Sequence, residues 1–159
     1  MDENIYRRDS WMAGVFISHT AADTSYCCAL VLPVIQSIPS PFINRSVFFN
    51  YDNFGRGSGE EIRTMSAAYA TQIERLLAES KTCAVIVSSA SIKSEWVAWE
   101  VDWWLKTREM ESLLAIQRDV TIPGDLDPRL ENAETIVLNE VNEQSKHILE
   151  AAVRELLCR

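Results

Sequence analysis

Residues 82–106 read TCAVIVSSASIKSEWVAWEVDWWLK, and the way this stretch changes period decides the fold. It opens on an apolar, β-branched run, Cys83 to Val87, of the length and composition of a strand buried on both faces. The small polar residues Ser88 to Ser91 then make a turn. Ser94 offers an N-cap oxygen for a helix from Glu95 to about Lys106. At roughly 100° per residue, Val97, Ala98, Val101 and Leu105 share one arc that suits packing against a sheet. Trp96, Trp99, Trp103 and Trp104 take the other side, with Glu100 inside their arc, and Glu95, Asp102 and Lys106 keep a narrow strip for water. Two readings of Glu100 stand side by side. It is a surface acid among tryptophans that contact neighbouring elements, or a carboxylate in a partly dry cleft walled by flat rings, suited to holding a ligand.

Outward from this unit the pattern repeats. Val15 to Ser18 is a short apolar strand left by the loop His19 to Asp23, and a helix runs from Thr24 to about Gln36, which Pro33 should bend or shorten. Val47 to Phe49 is a second strand, followed by a loop, Asn50 to Gly59, with three glycines in five residues, which lets backbone approach a ligand closely. No Gly-Lys-Ser/Thr follows, so this is not a phosphate-binding P-loop. Ser58 and Glu61 fit a capping box for an amphipathic helix traced by Ile62, Met65, Tyr69, Ile73 and Leu76. Leu113 to Ile116 and Thr135 to Leu138 read as two more strands, with mostly loop between them and a brief helical turn near 128–132. A helix over about 143–157 ends the pattern.

Strand and helix alternating five times predict one α/β domain: a flavodoxin-like, five-stranded parallel sheet in the order 2-1-3-4-5 with helices on both faces. Residues 1–12 form a lead-in and 13–159 the domain. Ligands in such folds sit outside the carboxyl ends of the strands where the order reverses. The loops there are His19 to Asp23 and Ser88 to Ser94, so Glu100 in the second turn of its helix can face that crevice.

Composition narrows the functional classes. The chain has 159 residues, 47% hydrophobic and 24% charged, with a net charge of −8, an ordinary globular balance. The negative charge and the absence of a basic cluster argue against nucleic acid and against acidic membrane surfaces as partners. No signal peptide and no apolar run of about 20 residues is found. Cys27, Cys28, Cys83 and Cys158 have no metal-ligand spacing. The expectation is a cytoplasmic domain with reduced cysteines, no metal and no resident cofactor.

Three segments resemble the TIR (Toll/interleukin-1 receptor) domain family: Val15-Phe-Ile-Ser-His19, Val47-Phe-Phe-Asn50 with its glycine-containing loop, and residues 85–100, VIVSSASIKSEWVAWE, similar to the third strand and the Ser-x-Trp-x-x-x-Glu segment. The resemblance covers about Val15 to Leu157. It implies one of two functions: association with other TIR domains as a scaffold, or cleavage of the nicotinamide–ribose bond of NAD⁺ to give nicotinamide and ADP-ribose or a cyclic isomer, as an immune or anti-phage signal. The enzymatic branch, an NAD⁺ nucleosidase or ADP-ribosyl cyclase, places its catalytic carboxylate at Glu100. Substrate contacts are then expected from Trp96, stacking on a flat ring, from Ser18, His19 and Thr20 in the first loop, and from Phe54, Arg56 and Gly57 in the glycine-rich loop. The sequence departs from the pattern at Asn50, where an acidic residue is frequent, and at Thr20-Ala-Ala, where several NAD⁺-cleaving members carry arginines. Enzymatic TIR domains commonly act as assemblies, so the extra tryptophans suggest a homo-oligomer. A receiver-like phosphoacceptor fails, because no acidic pair follows the first strand and the third does not end in Asp.

Overall fold

Continuous apolar runs with β-branched residues make the four main strands of the sheet: β1 (Gly14–Ser18), β3 (Ser80–Val87), β4 (Leu113–Gln117) and β5 (Glu134–Val137). The structure is a computed structural model that describes residues 14–38, 47–48 and 67–158. A two-residue ladder, β2 (Val47–Phe48), pairs with β1, and all neighbours run parallel in the order β2-β1-β3-β4-β5. The strands β1, β3 and β4 are buried almost without interruption, as parallel strands covered on both faces must be. β5, at the edge, alternates half-buried and exposed residues.

Each face has its own core. A strand sends successive side chains to opposite sides, so Val15, Ile17, Ala84, Ile86, Leu114 and Ile116 meet Leu30, Val31 and Val34 of helix α1 (24–37) and Leu149, Val153 and Leu156 of the carboxyl-terminal helix, Glu143–Leu157. On the opposite face Phe16, Cys83, Val85, Leu113 and Ala115 meet Ile73 and Leu77 of helix α2 (Ala67–Glu79), together with Val97, Val101 and Trp104 of helix α3 (Glu95–Thr107). Between β4 and β5, where mostly loop is expected, lie a short helix α4 (Pro123–Leu126) and a 3-10 turn at Pro128–Asn132, where a helical turn is expected. The carboxyl-terminal helix is then α5. Among the described residues no helix is long and apolar enough to cross a membrane, and Cys27, Cys28, Cys83 and Cys158 are all free thiols.

Helix α1 does not stop at Pro33. Proline lacks the N–H of the helical ladder and its ring crowds the carbonyl four residues back. The chain answers with a π-helical segment, Cys27–Val31, in which the Leu32 N–H bonds the Cys27 carbonyl, and resumes α-helix at Leu32–Ser37. The widened turn absorbs the mismatch, and Leu30, Val31, Val34 and Ile35 all remain buried.

Helix α3 is turned relative to its sequence reading. Its buried residues are Trp96, Val97, Glu100, Val101 and Trp104, whereas Ala98 is exposed and Leu105 only half-buried. The buried arc is thus centred on Trp104 and rotated by about 80° from the Val97–Ala98–Leu105 arc expected from a 100° period. Area explains the rotation: an indole covers far more apolar surface than an alanine methyl, so the helix settles with Trp104 innermost. The turn that buries Trp104 carries Glu100 inward with it.

Candidate functional site

Glu100 comes to its place through a chain of local decisions. Ser94 caps α3, its Oγ accepting from the Val97 N–H at 3.2 Å. That fixes where the second turn begins and sends Glu100 toward the carboxyl end of β1. There Ser18, the last residue of β1, shares the strand parity of Phe16 and faces the same side of the sheet. Its hydroxyl donates to Glu100 Oε1 at 3.0 Å, and both residues are fully buried. An ionised carboxylate taken out of water is costly unless hydrogen-bonded. A carboxylate on the core-facing arc of a helix, at the carboxyl end of a parallel sheet, is a candidate for function. The thiol of Cys83, on the same face of β3, is pushed well above its ordinary range by burial first and then by Glu100.

The other expected site residues divide. His19 is 1% exposed, with Nδ1 at 3.3 Å from the Ile17 carbonyl. A carbonyl only accepts, so Nδ1 carries the proton of that bond. Thr20 is half-buried and donates through Oγ1 to Asp23 Oδ2 at 3.1 Å. Trp96 is 6% exposed and lies on the same stripe as Glu100, one turn earlier. Phe54, Arg56 and Gly57, with Asn50 and the proposed cap Ser58–Glu61, lie outside the described residues.

A second polar cluster, absent from the sequence reading, stands at the same end of the sheet. Asp23, only 1% exposed, accepts from Thr20, from the Ser88 hydroxyl at 2.6 Å and from Arg118 Nη1. The Arg118 guanidinium also lies 4.8 Å from the centre of the Tyr26 ring, a cation–π geometry, and the Tyr26 hydroxyl donates to the Leu138 carbonyl at 2.6 Å. Burial raises the Tyr26 phenol far above its usual range. Asp23 and Arg118 are 95 residues apart, so no local pattern pairs them. The available signal is positional: Arg118 directly follows β4, and Asp23 closes the short loop after β1, at the same end of the sheet.

Of the remaining tryptophans, Trp104 is core. Its indole N–H donates to Ser112 Oγ at 3.0 Å and Arg108 stacks 5.1 Å from its ring centre. Trp99 and Trp103 are half-buried against the same cluster. Among the described residues no group of His, Cys, Asp and Glu is arranged to hold a metal.

Comparison with known proteins agrees with this architecture. Among solved structures, a metazoan TIR-STING receptor from C. gigas, in complex with 2',3'-cGAMP, is similar with a TM-score of 0.58 and 20% identity, over 88% of this chain and 39% of that chain. At that identity the likeness is one of fold, and this chain spans 39% of the receptor's length. No curated protein matches the chain. The family described as "Thoeris protein ThsB, TIR-like domain" matches residues 16–122, a span that begins inside β1, contains Ser18, Asp23, Trp96, Glu100 and Arg118, and ends at the start of α4. With about two thirds of its length matched, the chain belongs to the ThsB TIR-like domain family.

Proposed function

We propose that this domain cleaves the nicotinamide–ribose bond of NAD⁺, with Glu100 as the catalytic carboxylate. The observation that supports this reading is the buried Glu100 side chain, accepting a hydrogen bond from Ser18 where β1 and β3 end. Nicotinamide leaves as a neutral ring: the C1′–N bond breaks, its electron pair stays on the pyridine nitrogen, and no acid is required. The ribose becomes oxocarbenium-like. A carboxylate set against the ribose hydroxyls stabilises that positive charge, and does so more strongly where water is excluded. Capture by water, which adds its oxygen to C1′ and loses a proton, gives ADP-ribose. Capture by a nucleophile of the same molecule gives a cyclic isomer.

In this account Ser18 orients the carboxylate, Trp96 walls a flat ring, and His19 and Thr20 line the ribose–phosphate side. Membership of the Thoeris family supports placing the product in anti-phage defence, as a diffusible signal read by another protein. A second reading, a non-catalytic module that associates with other TIR domains, draws on the completeness of Glu100's burial, which is also the state of a carboxylate with a purely structural partner.

The test is incubation with NAD⁺ and chromatography for free nicotinamide, with mass spectrometry of the second product. Release by the wild-type chain and none by Glu100→Gln is the expected result. Equal release by both, or no release by the wild-type chain in monomeric and concentrated preparations, overturns it in favour of the scaffold.

A further inference from the structure

The Ser18–Glu100 contact joins two elements that are distant in sequence, and each of them is held at its base by the same side chain. On the β1 side, Ser18 is followed by His19 and Thr20, and Thr20 is tied twice to Asp23, through its hydroxyl at 3.1 Å and through its carbonyl, which accepts from the Asp23 N–H at 3.1 Å. On the α3 side, Ser88 closes β3 and donates to Asp23 at 2.6 Å. Ser88 is locked in turn to Ser91 by reciprocal bonds, the Ser88 N–H to Ser91 Oγ at 2.8 Å and the Ser91 N–H to Ser88 Oγ at 3.1 Å. The Ser91 carbonyl accepts from the N–H of Ser94, the residue that caps α3. Ser88 and Ser91 are buried throughout.

From these contacts, and resting on the NAD⁺ reading above, we infer that Asp23 is a positioning residue: its buried carboxylate fixes the loops after β1 and β3 to one another and so sets the distance at which Ser18 meets Glu100. Arg118 serves this role from the third side. It neutralises the buried charge, also reaches the Ala22 carbonyl at 3.5 Å, and is itself held over Tyr26. A buried carboxylate that accepts from two hydroxyls and a guanidinium is a rigid junction, because its oxygens are held from three sides out of water. Asp23 touches no reacting atom in this account.

The experiment compares wild type, Asp23→Asn and Ser88→Ala. Asparagine keeps the shape and an acceptor oxygen but loses the ion pair, and Ser88→Ala removes the bond to Asp23 together with the acceptor of the Ser91 N–H, while Asp23 keeps Thr20 and Arg118; having both keeps one variant foldable should the other fail. Misplacement of a catalytic group by about 1 Å costs on the order of 10²-fold in rate, so Asp23→Asn is expected to lose about that much in kcat. Ser88→Ala is expected to lose about tenfold, with KM in both within about threefold of wild type. The double variant should be no worse than Asp23→Asn, as for residues acting in one network. Amide hydrogen exchange on the same samples should quicken in 19–23 and 88–94 together and stay unchanged in α5. Full kcat in a variant whose two loops have loosened overturns the inference, as does exchange that leaves either loop unaffected. A wild-type chain that releases no nicotinamide overturns the NAD⁺ reading alone, and the exchange comparison then decides whether Asp23 joins the loops.

Discussion

The two ends of helix α3 carry the same kind of residue to different purposes. Its amino-terminal half presents Trp96 and Glu100 on one stripe beneath Ser18, at the crevice end of the sheet. Its carboxyl-terminal half presents Trp104, fully buried, its N–H satisfied by Ser112 and its ring covered by Arg108, whose guanidinium also bonds the Ala78 and Ser80 carbonyls. One half spends burial on a carboxylate, which opposes folding. The other supplies the apolar area that offsets it. The packed carboxyl-terminal half anchors the helix that carries Glu100 at its other end.

The comparison is broken most sharply by paired substitutions. Glu100→Gln should lower NAD⁺ turnover by about 10³-fold or more, the loss seen when a preorganised electrostatic contact to a transition state is removed. It should leave the fold intact, since glutamine keeps the length of the side chain and an acceptor oxygen for the Ser18 hydroxyl. Trp104→Phe should do the reverse. Losing the indole hydrogen bond and part of the packed area costs about 2 kcal/mol of stability, while kcat at temperatures where the variant stays folded remains near wild type. Turnover and melting temperature falling together in both variants would show that the two halves are not separable.

The same contrast explains what could be read from the sequence. The strands were legible because runs such as Val15-Phe-Ile and Cys83-Ala-Val-Ile-Val87 carry their burial in their composition, and α3 was legible from Ser94 and its period. Glu100 stands out in the sequence by its place among tryptophans and by family resemblance, and the structure adds its full burial against Ser18. The azimuth of the helix was not. A 3.6-residue period says which residues share a face but not which face meets the sheet, and that was settled by the size of Trp104, a tertiary matter. Asp23 and Arg118 were missed for a related reason. Their contact joins loops after different strands, and an Asp in a helix-initiating turn looks like an ordinary cap residue. The π-helical answer to Pro33 was half legible: the disturbance was expected, but not that the helix would widen rather than end.

Ser94 tests the junction between the halves at lower cost. Its side chain satisfies the Val97 N–H, so Ser94→Ala should reduce stability by about 1 kcal/mol. The cap sets where the first turn starts, so a loss of kcat greater than this stability change implies would show that cap geometry reaches Glu100.

The smallest effect is expected on the outer face of α3, where Asp102 pairs with Lys106 at 2.9 Å and with Arg129 at 2.9 Å, and Arg129 also pairs with Asp127. The Lys106 bond first, and then Arg129, hold Asp102 below the ordinary carboxylate range, and Arg129 does the same for Asp127. A carboxylate depressed in the folded state contributes stability that is present above its unfolded value, near 4, and is lost as pH falls through the folded value. Asp102, Lys106 and Arg129 are open to solvent, so water and salt reduce the contribution of Asp102 to under about 1 kcal/mol. The melting temperature should therefore show a shallow decline below about pH 4, flatter in Asp102→Asn and weaker in high salt. Turnover of Asp102→Asn at neutral pH should match wild type, because this cluster ties the solvent side of α3 to the 128–132 turn and faces away from the stripe that carries Glu100. A kcat that followed Asp102 would mean that the helix moves as one lever rather than as an anchored end and a working end.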